Sequence, residues 1–325
     1  MLRVLHLLTV SEEEYSRDLE LLRPCLSRFG VELEFVLLPE YFRFFSERVS
    51  SLRRLARVFR GFSPQIFHIY SMQSYPYLFF FPRRPFVFSC SYRELCFGGG
   101  GLWNFIRTFL AQFLAFHVSH LIVSSYQARS CLWFARSRRK AFMIPTPVNG
   151  NFFYPMEKGD CQRKLGLSGD FKYILFPHSE ANSSGYSLLE EALLRLRGRI
   201  SAPVEVIRTF GRDESDLPFY MNAVDCVVWC GDFWASTRVL KQALACNVPI
   251  VAMGDGEVRE LLEDVLDCFL SRWDPDDLSN KIFRVLRRNS YSDGRKKIHL
   301  WDPEKIAIGL ARIYHRILKK PFVGE

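Results

Sequence analysis

The stretch that most constrains the fold is residues 219–262, where two short apolar runs flank one amphipathic segment. The runs at 225–229 and 248–252 are too short and too continuously apolar for amphipathic helices, so both are predicted to be buried parallel strands. Between them, Ser236-Thr237 can cap a helix. The sequence therefore predicts a strand–helix–strand unit, the building block of a doubly wound α/β domain.

This unit has a consequence for ligand binding. When a helix joins two parallel strands, its N-terminus lies at the carboxyl edge of the sheet. The unpaired N–H groups and the positive end of the helix dipole favour anions there. We therefore predict that residues 234–238 line a site that accepts a phosphate group.

The same stretch carries a longer motif. Its matching residues are Leu217-Pro218, Tyr220-Met221-Asn222-Ala223, Asp225, Val239, Ala243-Leu244-Ala245-Cys246, Pro249, Val251-Ala252, Gly256 and Glu260. In this pattern the chain resembles the donor-binding signature of family 4 of the glycosyltransferases, retaining enzymes with the GT-B fold. Two glutamates of that signature, which contact the donor sugar and the ribose, are replaced here by Trp234 and Gln242.

The resemblance continues through the N-terminal half of the chain. The run PQIFHIYS fits a strand end that carries two histidines in the family; His68 matches the first and Tyr70 replaces the second. In the next strand Ser91 and Tyr92 stand where the family has histidine and glycine. The resemblance implies that these four residues lie on the acceptor side of the site.

The family binds the donor diphosphate through an arginine and a lysine that follow the first strand of its second domain. Here Ser179 and Ser184 stand at those positions, and only the following Gly185 is kept. Arg238, in the first turn of the predicted helix, would restore one positive charge. The donor-binding residues expected from the resemblance are Ser179, Ser184, Gly185, Trp234, Ser236, Thr237, Arg238 and Gln242.

The resemblance also implies a mechanism that uses neither a metal nor a cofactor besides the nucleotide-sugar donor. Such enzymes lower the barrier by stabilising the departing diphosphate with cations, N–H groups and a helix dipole. The catalytic residue stays unknown at this point, with Arg238 and His68 as candidates. His68 has an alternative interpretation as a hydrogen-bonded structural residue.

The length of 325 residues fits two α/β domains. The resemblance implies a GT-B arrangement of two doubly wound, Rossmann-like domains that face a cleft. We predict an N-terminal, acceptor-side and membrane-side domain at 1–150, a linker at 151–165 and a donor-binding domain at 166–302. Residues 303–325 are expected to form a helix that crosses back to the first domain.

The nine cysteines contain no C-x-x-C pair and mostly lie in apolar surroundings. We interpret them as reduced core residues of a cytoplasmic protein. The chain begins with a predicted strand followed at once by acids, which is not the pattern of a signal peptide. The longest apolar helix, at 102–118, is shorter than the roughly 20 residues that a membrane span needs. No transmembrane segment is expected.

The net charge of +9 is unevenly distributed. Residues 1–150 hold 19 Lys and Arg against 10 Asp and Glu, whereas residues 151–325 hold 25 of each. Within 48–140 there are 14 basic residues and one acid, Glu94, interleaved with aromatic residues. This pattern predicts a surface for anionic membranes or polyanions, at the inner face of the membrane. A solvated basic face is the alternative.

Two functions remain open on the sequence alone. The chain is an active glycosyltransferase with altered donor chemistry, or a catalytically silent relative that binds a partner glycosyltransferase, a nucleotide-sugar or a glycan. A dehydrogenase is disfavoured because no G-x-G-x-x-G follows the first strand. The expected partners are a nucleotide-sugar, a glycan or lipid-linked acceptor and an anionic membrane; no nucleic-acid partner is expected.

Overall fold

The structure is a computed structural model. It describes residues 1–9, 13–38, 45–70, 84–90, 95, 102–177, 183–208, 213–230, 237–254 and 256–322. They form two compact units: the first comprises Met1–Pro147 and Trp301–Glu325, and the second comprises Val148–Leu300. Each unit is an α/β domain built on one parallel sheet.

The secondary structure alternates between strands and helices along the chain. The strands are β1 (Leu2–Thr9), β2 (Val31–Leu38), β3 (Ile66–Ile69), β4 (Phe86–Cys90), β5 (His120–Val123), β6 (Ala141–Met143), β7 (Lys172–Phe176), β8 (Val204–Arg208), β9 (Cys226–Trp229), β10 (Ile250–Met253) and β11 (Phe269–Ser271). The helices are α1 (Glu13–Arg28), α2 (Phe45–Phe62), α3 (Leu102–His117), α4 (Tyr126–Ser130), α5 (Ala135–Lys140), α6 (Lys158–Leu165), α7 (Ser183–Leu196), α8 (Leu217–Ala223), α9 (Arg238–Ala245), α10 (Glu257–Leu262), α11 (Pro275–Arg288) and α12 (Pro303–Ile317).

The first unit is doubly wound around a six-stranded sheet in the order β2-β1-β3-β4-β5-β6. Helices α1 and α12 cover one face, where Leu22 and Leu310 belong to the same core. Helices α2 and α3 cover the other face, where Leu55 and Leu114 share a second core. This two-faced burial explains why the strands are almost continuously apolar.

The second unit has a five-stranded sheet in the order β11-β10-β9-β7-β8. The chain steps from β7 outward to β8, then returns to the other side of β7 and continues through β9, β10 and β11. Helices α7 and α11 pack on one face of this sheet, and right-handed crossovers place α9 on the other face. The order of the strands therefore reverses between β7 and β9, and ligands of such sheets bind outside the carboxyl ends at that point.

The predicted linker at 151–165 needs correction, because its second half is helix α6. This helix packs against α8 within the second unit. Its residues Cys161 and Gln162 are buried, and the Gln162 side-chain amide donates to the Ala223 carbonyl at 3.0 Å. The segment is polar in sequence, yet these two contacts make it part of the domain.

Seven of the cysteines that the structure describes are free thiols, as predicted, and all of these except Cys268 are buried. The free thiols are Cys25, Cys90, Cys161, Cys226, Cys230, Cys246 and Cys268. Cys131 is disulfide-bonded, so the prediction of reduced cysteines throughout was wrong at this residue. Sequence spacing does not show which cysteines a fold brings together, because pairing depends on distances in space.

Over the part of the chain that the structure describes, no helix combines the length and the apolar character that a membrane crossing needs.

Helix α9 ends in a tightly packed corner. Asn247 follows the helix with a φ of 57°, a left-handed conformation that stops it. The Arg295 guanidinium donates to the carbonyls of Ala245 at 2.8 Å, Phe153 at 2.9 Å and Gly150 at 3.0 Å. Gly294 lies so close to the helix that an added Cβ would stand 2.6 Å from Leu244 Cδ2 and 2.9 Å from Leu244 Cα.

We therefore expect Gly294→Ala to destabilise the second unit. The new methyl group has no space, because one of the atoms it meets belongs to the backbone, and overpacking of this kind costs about 1–3 kcal/mol. Urea unfolding would measure the loss. Gly169→Ala is the matched control, since a Cβ there meets nothing within 4 Å; equal stability of the two variants would contradict the proposed packing.

Candidate functional site

The carboxyl ends of β7 and β9 define the candidate site in the second unit. Helix α7 begins at Ser183 beyond the end of β7, and α9 begins at Arg238 beyond the end of β9. Thr237 is the N-cap residue of α9, but its side chain makes no capping hydrogen bond. The first N–H groups of a helix have no partner within the helix itself, so this end suits an anionic ligand.

One side of α9 carries three polar residues. Lys241 and Gln242 follow Arg238 by three and four positions, which places all three side chains on the same side of the helix. The Lys241 side chain is 2% exposed and its Nζ lies 3.6 Å from the Glu257 carboxylate. Glu257 begins α10, beyond the end of β10. A buried ammonium needs such a partner, because its desolvation otherwise costs several kcal/mol.

Gln242 is also buried, with 6% of its surface exposed. Its side-chain amide forms no hydrogen bond with any residue that the structure describes. The amide is not one of the described polar groups that are both fully buried and unpaired, so it stays accessible to a ligand. An amide both donates to and accepts from hydroxyl groups, which suits a ligand at the carboxyl edge of the sheet.

Most of the predicted donor residues can now be placed. Ser184 is exposed and Gly185 is buried in the first turn of α7, while Thr237, Arg238 and Gln242 lie on α9 or at its start. Ser179, Trp234 and Ser236 lie outside the described residues. Lys241 was missed in the sequence, although its spacing from Arg238 is a signal that it shares the same side of the helix.

Asn222, which matches the family signature, makes contacts that hold the domain together. The Asn222 amide donates to the Tyr154 and Pro218 carbonyls at 3.0 and 2.8 Å and accepts from Met156 N at 2.8 Å. These bonds hold the chain before α6 against α8. The match at Asn222 therefore indicates a shared architecture of the domain and does not indicate how a ligand is bound.

In the first unit, His68 lies in a buried polar cluster. Its Nδ1 is 2.7 Å from the Tyr314 hydroxyl and its Nε2 is 2.6 Å from Ser89 Oγ. The ring of His6, on the neighbouring strand, lies 4.8 Å from the His68 ring between centroids and is tilted by 38° to it. His6 Nδ1 is 3.0 Å from the Tyr70 hydroxyl. Both nitrogens of His68 are therefore engaged inside the protein.

The two histidines are held neutral by their surroundings. Burial lowers the pKa of His6 to about 3, with a smaller contribution from Arg23. Burial, followed by the neighbouring His6, also lowers the pKa of His68 well below its ordinary value. A histidine in this state is a weak base near neutral pH, which favours the structural interpretation of His68.

A small cavity adjoins this cluster. Its volume is about 60 Å³, and His68, Tyr70 and Ser89 contribute to its lining. Ligand pockets for molecules of drug size are several times larger, about 300–1,000 Å³. The cavity has room for a few water molecules or one substituent. Ser91 and Tyr92, the other predicted acceptor-side residues, fall in a part of the chain that the structure leaves undescribed.

The low pKa values of His6 and His68 predict an acid-sensitive first unit. The unfolded chain takes up protons near pH 6.5, whereas the folded chain does not do so until the much lower folded pKa is reached. Stability is therefore full above about pH 6.5 and falls below it, with a slope that approaches at most about 1.4 kcal/mol per pH unit for each histidine. Urea unfolding between about pH 7 and pH 5 measures this slope.

His6→Gln should flatten the slope, because glutamine does not titrate in this range. His299→Gln, at an exposed histidine, is the control and should leave it unchanged. A slope that is the same in all three proteins would show that the buried histidines do not cause the acid sensitivity.

No protein-family model matches the sequence, and a search of curated proteins found no match either. Solved structures do match the fold. A sucrose-phosphate synthase from Thermosynechococcus elongatus superimposes with a TM-score of 0.72 at 14% identity, over 98% of this chain and 100% of that chain. Anabaena HepE in complex with UDP and glucose gives 0.69 at 15% identity, over 96% and 99%.

A third structure, S. aureus MnaA with UDP, gives a TM-score of 0.64 at 12% identity over 100% of both chains. These similarities confirm the predicted fold: the chain consists of two parallel-sheet α/β domains of the GT-B type.

Proposed function

We propose that this GT-B chain is a glycosyltransferase, which binds a nucleotide-sugar at the carboxyl edge of the second sheet and transfers the sugar to a glycan or lipid-linked acceptor. The observation that carries the proposal is the polar side of α9, formed by Arg238, Lys241 and Gln242. The solved structures support a nucleotide-sugar donor, because HepE and MnaA were both solved with UDP.

In this proposal the donor diphosphate lies at the N-terminus of α9. The helix dipole contributes about 0.3–1 kcal/mol, and at most ~2 kcal/mol when partly buried. Arg238 supplies a charge-assisted contact worth about 1.5–3 kcal/mol. Lys241 adds positive potential from one turn deeper, although Glu257 neutralises part of it.

We assign the binding of the nucleoside, through its ribose hydroxyl groups, to Gln242. In the family a glutamate at this position binds the ribose, and an amide can still exchange hydrogen bonds with a diol. The affinity is expected to be lower than with a carboxylate, because hydrogen bonds to charged groups are stronger.

The same positive charges explain how the transfer of the sugar to the acceptor would be accelerated. As the bond between sugar and diphosphate breaks, negative charge grows on the leaving group, and Arg238 with the α9 N-terminus stabilises it. We propose a retaining reaction without a metal, as the family resemblance implies. His68 and Tyr70 are proposed to lie on the acceptor side, where His68 positions Ser89 and Tyr314 through its two ring nitrogens.

Arg238→Ala tests the donor site. Loss of one charge-assisted contact should weaken UDP binding about 10- to 100-fold in calorimetry. Arg287→Ala is the control, because Arg287 is an exposed arginine in the last turn of α11. Tight UDP binding that survives Arg238→Ala would show that other groups hold the diphosphate, and the proposed site would be wrong.

Restoring the family residues tests the missing charges. We expect Ser179→Arg, Ser184→Lys and Gln242→Glu together to strengthen the binding of nucleotide-sugars or to increase turnover. Calorimetry with UDP-, GDP- and ADP-sugars and a donor hydrolysis assay would measure both effects. Donor binding without turnover, in the parent and in the restored variant, would instead favour a catalytically silent relative that binds a partner enzyme.

A further inference from the structure

Helix α3 is packed in an unusual orientation. Toward the core it presents mainly small or polar residues, with Thr108, Ala111 and Gln112 each 1% exposed, and one large apolar residue, Leu114. Toward solvent it presents large aromatic residues: Phe105 and Phe109 are 49% exposed and Phe113 is 53% exposed. The usual pattern for a surface helix is the reverse, with the large apolar residues buried.

Gln112 explains how this orientation is held. Its Nε2 donates to the Leu95 carbonyl at 2.9 Å and to the Cys131 carbonyl at 2.8 Å. Its Oε1 accepts from the Trp133 backbone N–H at 3.0 Å. All three bonds would be lost if the helix turned its aromatic side inward, and buried polar groups would be left unpaired.

The exposed aromatic residues extend beyond α3. Phe109 lies 6.3 Å from Trp133 and Phe116 lies 4.8 Å from Phe134, measured between ring centroids. Trp133 and Phe134 are 45% and 42% exposed. We call the exposed residues Phe105, Phe109, Phe113, Trp133 and Phe134, together with the half-buried Phe116, the aromatic surface. Contiguous exposed apolar residues on this scale mark interaction sites.

Positive charges border the aromatic surface. Arg136 and Arg139 on α5 are exposed, and the Arg136 guanidinium lies 5.5 Å from the centre of the Phe116 ring. Lys140 holds α5 against the end of α3, since its Nζ donates to the Phe116 carbonyl at 2.7 Å. Residues 95–156 contain no Asp or Glu. The stretch of chain that carries the aromatic surface therefore holds positive formal charges and no negative ones.

Helix α2 adds to the positive charge on this side of the unit. It covers the same face of the first sheet as α3. The four arginines that it exposes are Arg53, Arg54, Arg57 and Arg60.

We propose that the aromatic surface and its arginines bind the surface of an anionic lipid bilayer. Aromatic side chains insert at the boundary between headgroups and acyl chains, while arginines bind anionic headgroups. A second copy of this chain fits less well, because a symmetric contact would bring Arg136 and Arg139 of both copies together. This proposal does not depend on donor binding in the second unit.

Vesicle sedimentation tests the proposal. The full chain should bind vesicles of phosphatidylcholine with phosphatidylserine, bind pure phosphatidylcholine vesicles poorly, and lose affinity as salt is raised. The variant Arg136→Glu with Arg139→Glu should lose more than about tenfold in affinity. The variant Phe105→Ser, Phe109→Ser and Phe113→Ser should lose binding at all salt concentrations, with its fold retained because these residues face solvent.

Two controls match these changes elsewhere on the chain. Arg287→Glu reverses a charge on α11, and Leu194→Ser removes an exposed apolar residue on α7 that is 55% exposed. Both should bind vesicles like the parent. UDP calorimetry on the aromatic variant should be unchanged, which separates this proposal from the proposed donor site.

Equal, salt-insensitive binding to neutral and anionic vesicles would overturn the proposal. So would an absence of vesicle binding together with a self-association that the three serine substitutions abolish in size-exclusion chromatography. That second result would assign the aromatic surface to contact between two copies of this chain.

Discussion

The second unit depends on one buried carboxylate. The Asp225 side chain is 3% exposed and accepts hydrogen bonds from Lys158 at 2.6 Å, Lys172 at 3.0 Å and the Tyr173 backbone N–H at 2.8 Å. It thereby joins α6 to the starts of β7 and β9, the two strands between which the strand order reverses. A buried ion pair of this kind is costly to break, because removing the acid would leave two ammonium groups without their counter-charge. The position of the candidate site follows from this pairing of β7 with β9.

Asp225 and Asn222 also explain why the sequence was informative about the fold and less so about the chemistry. Both belong to the motif that resembles the donor-binding signature, and both make contacts that build the domain. The positions that differ from the signature, such as Trp234 and Gln242, are the ones to which the resemblance assigns ligand contacts. The two doubly wound domains and helix α9 could therefore be predicted, because burial leaves a periodic pattern along the chain. The altered ligand contacts leave no pattern of that kind.

The features that sequence reasoning missed have a common physical cause. Lys241 and Gln112 are polar residues that are buried, and whether burial is tolerated depends on partners distant in sequence, Glu257 for the first and Leu95 for the second. Periodicity assigns such residues to the solvent side by default. Helix α6 was missed for a similar reason, since its polar composition is typical of a linker.

The hydrogen bonds of Gln112 have a further consequence for how this protein can change. These hydrogen bonds lie on the inner side of the helix. The orientation of α3 therefore depends mainly on its inner contacts and little on its outer side chains. Exchanging Phe105, Phe109 or Phe113 replaces one solvent-facing side chain by another and leaves no cavity in the core. Mutations can therefore change the chemical character of the outer face of α3 without repacking the core that stabilises the unit.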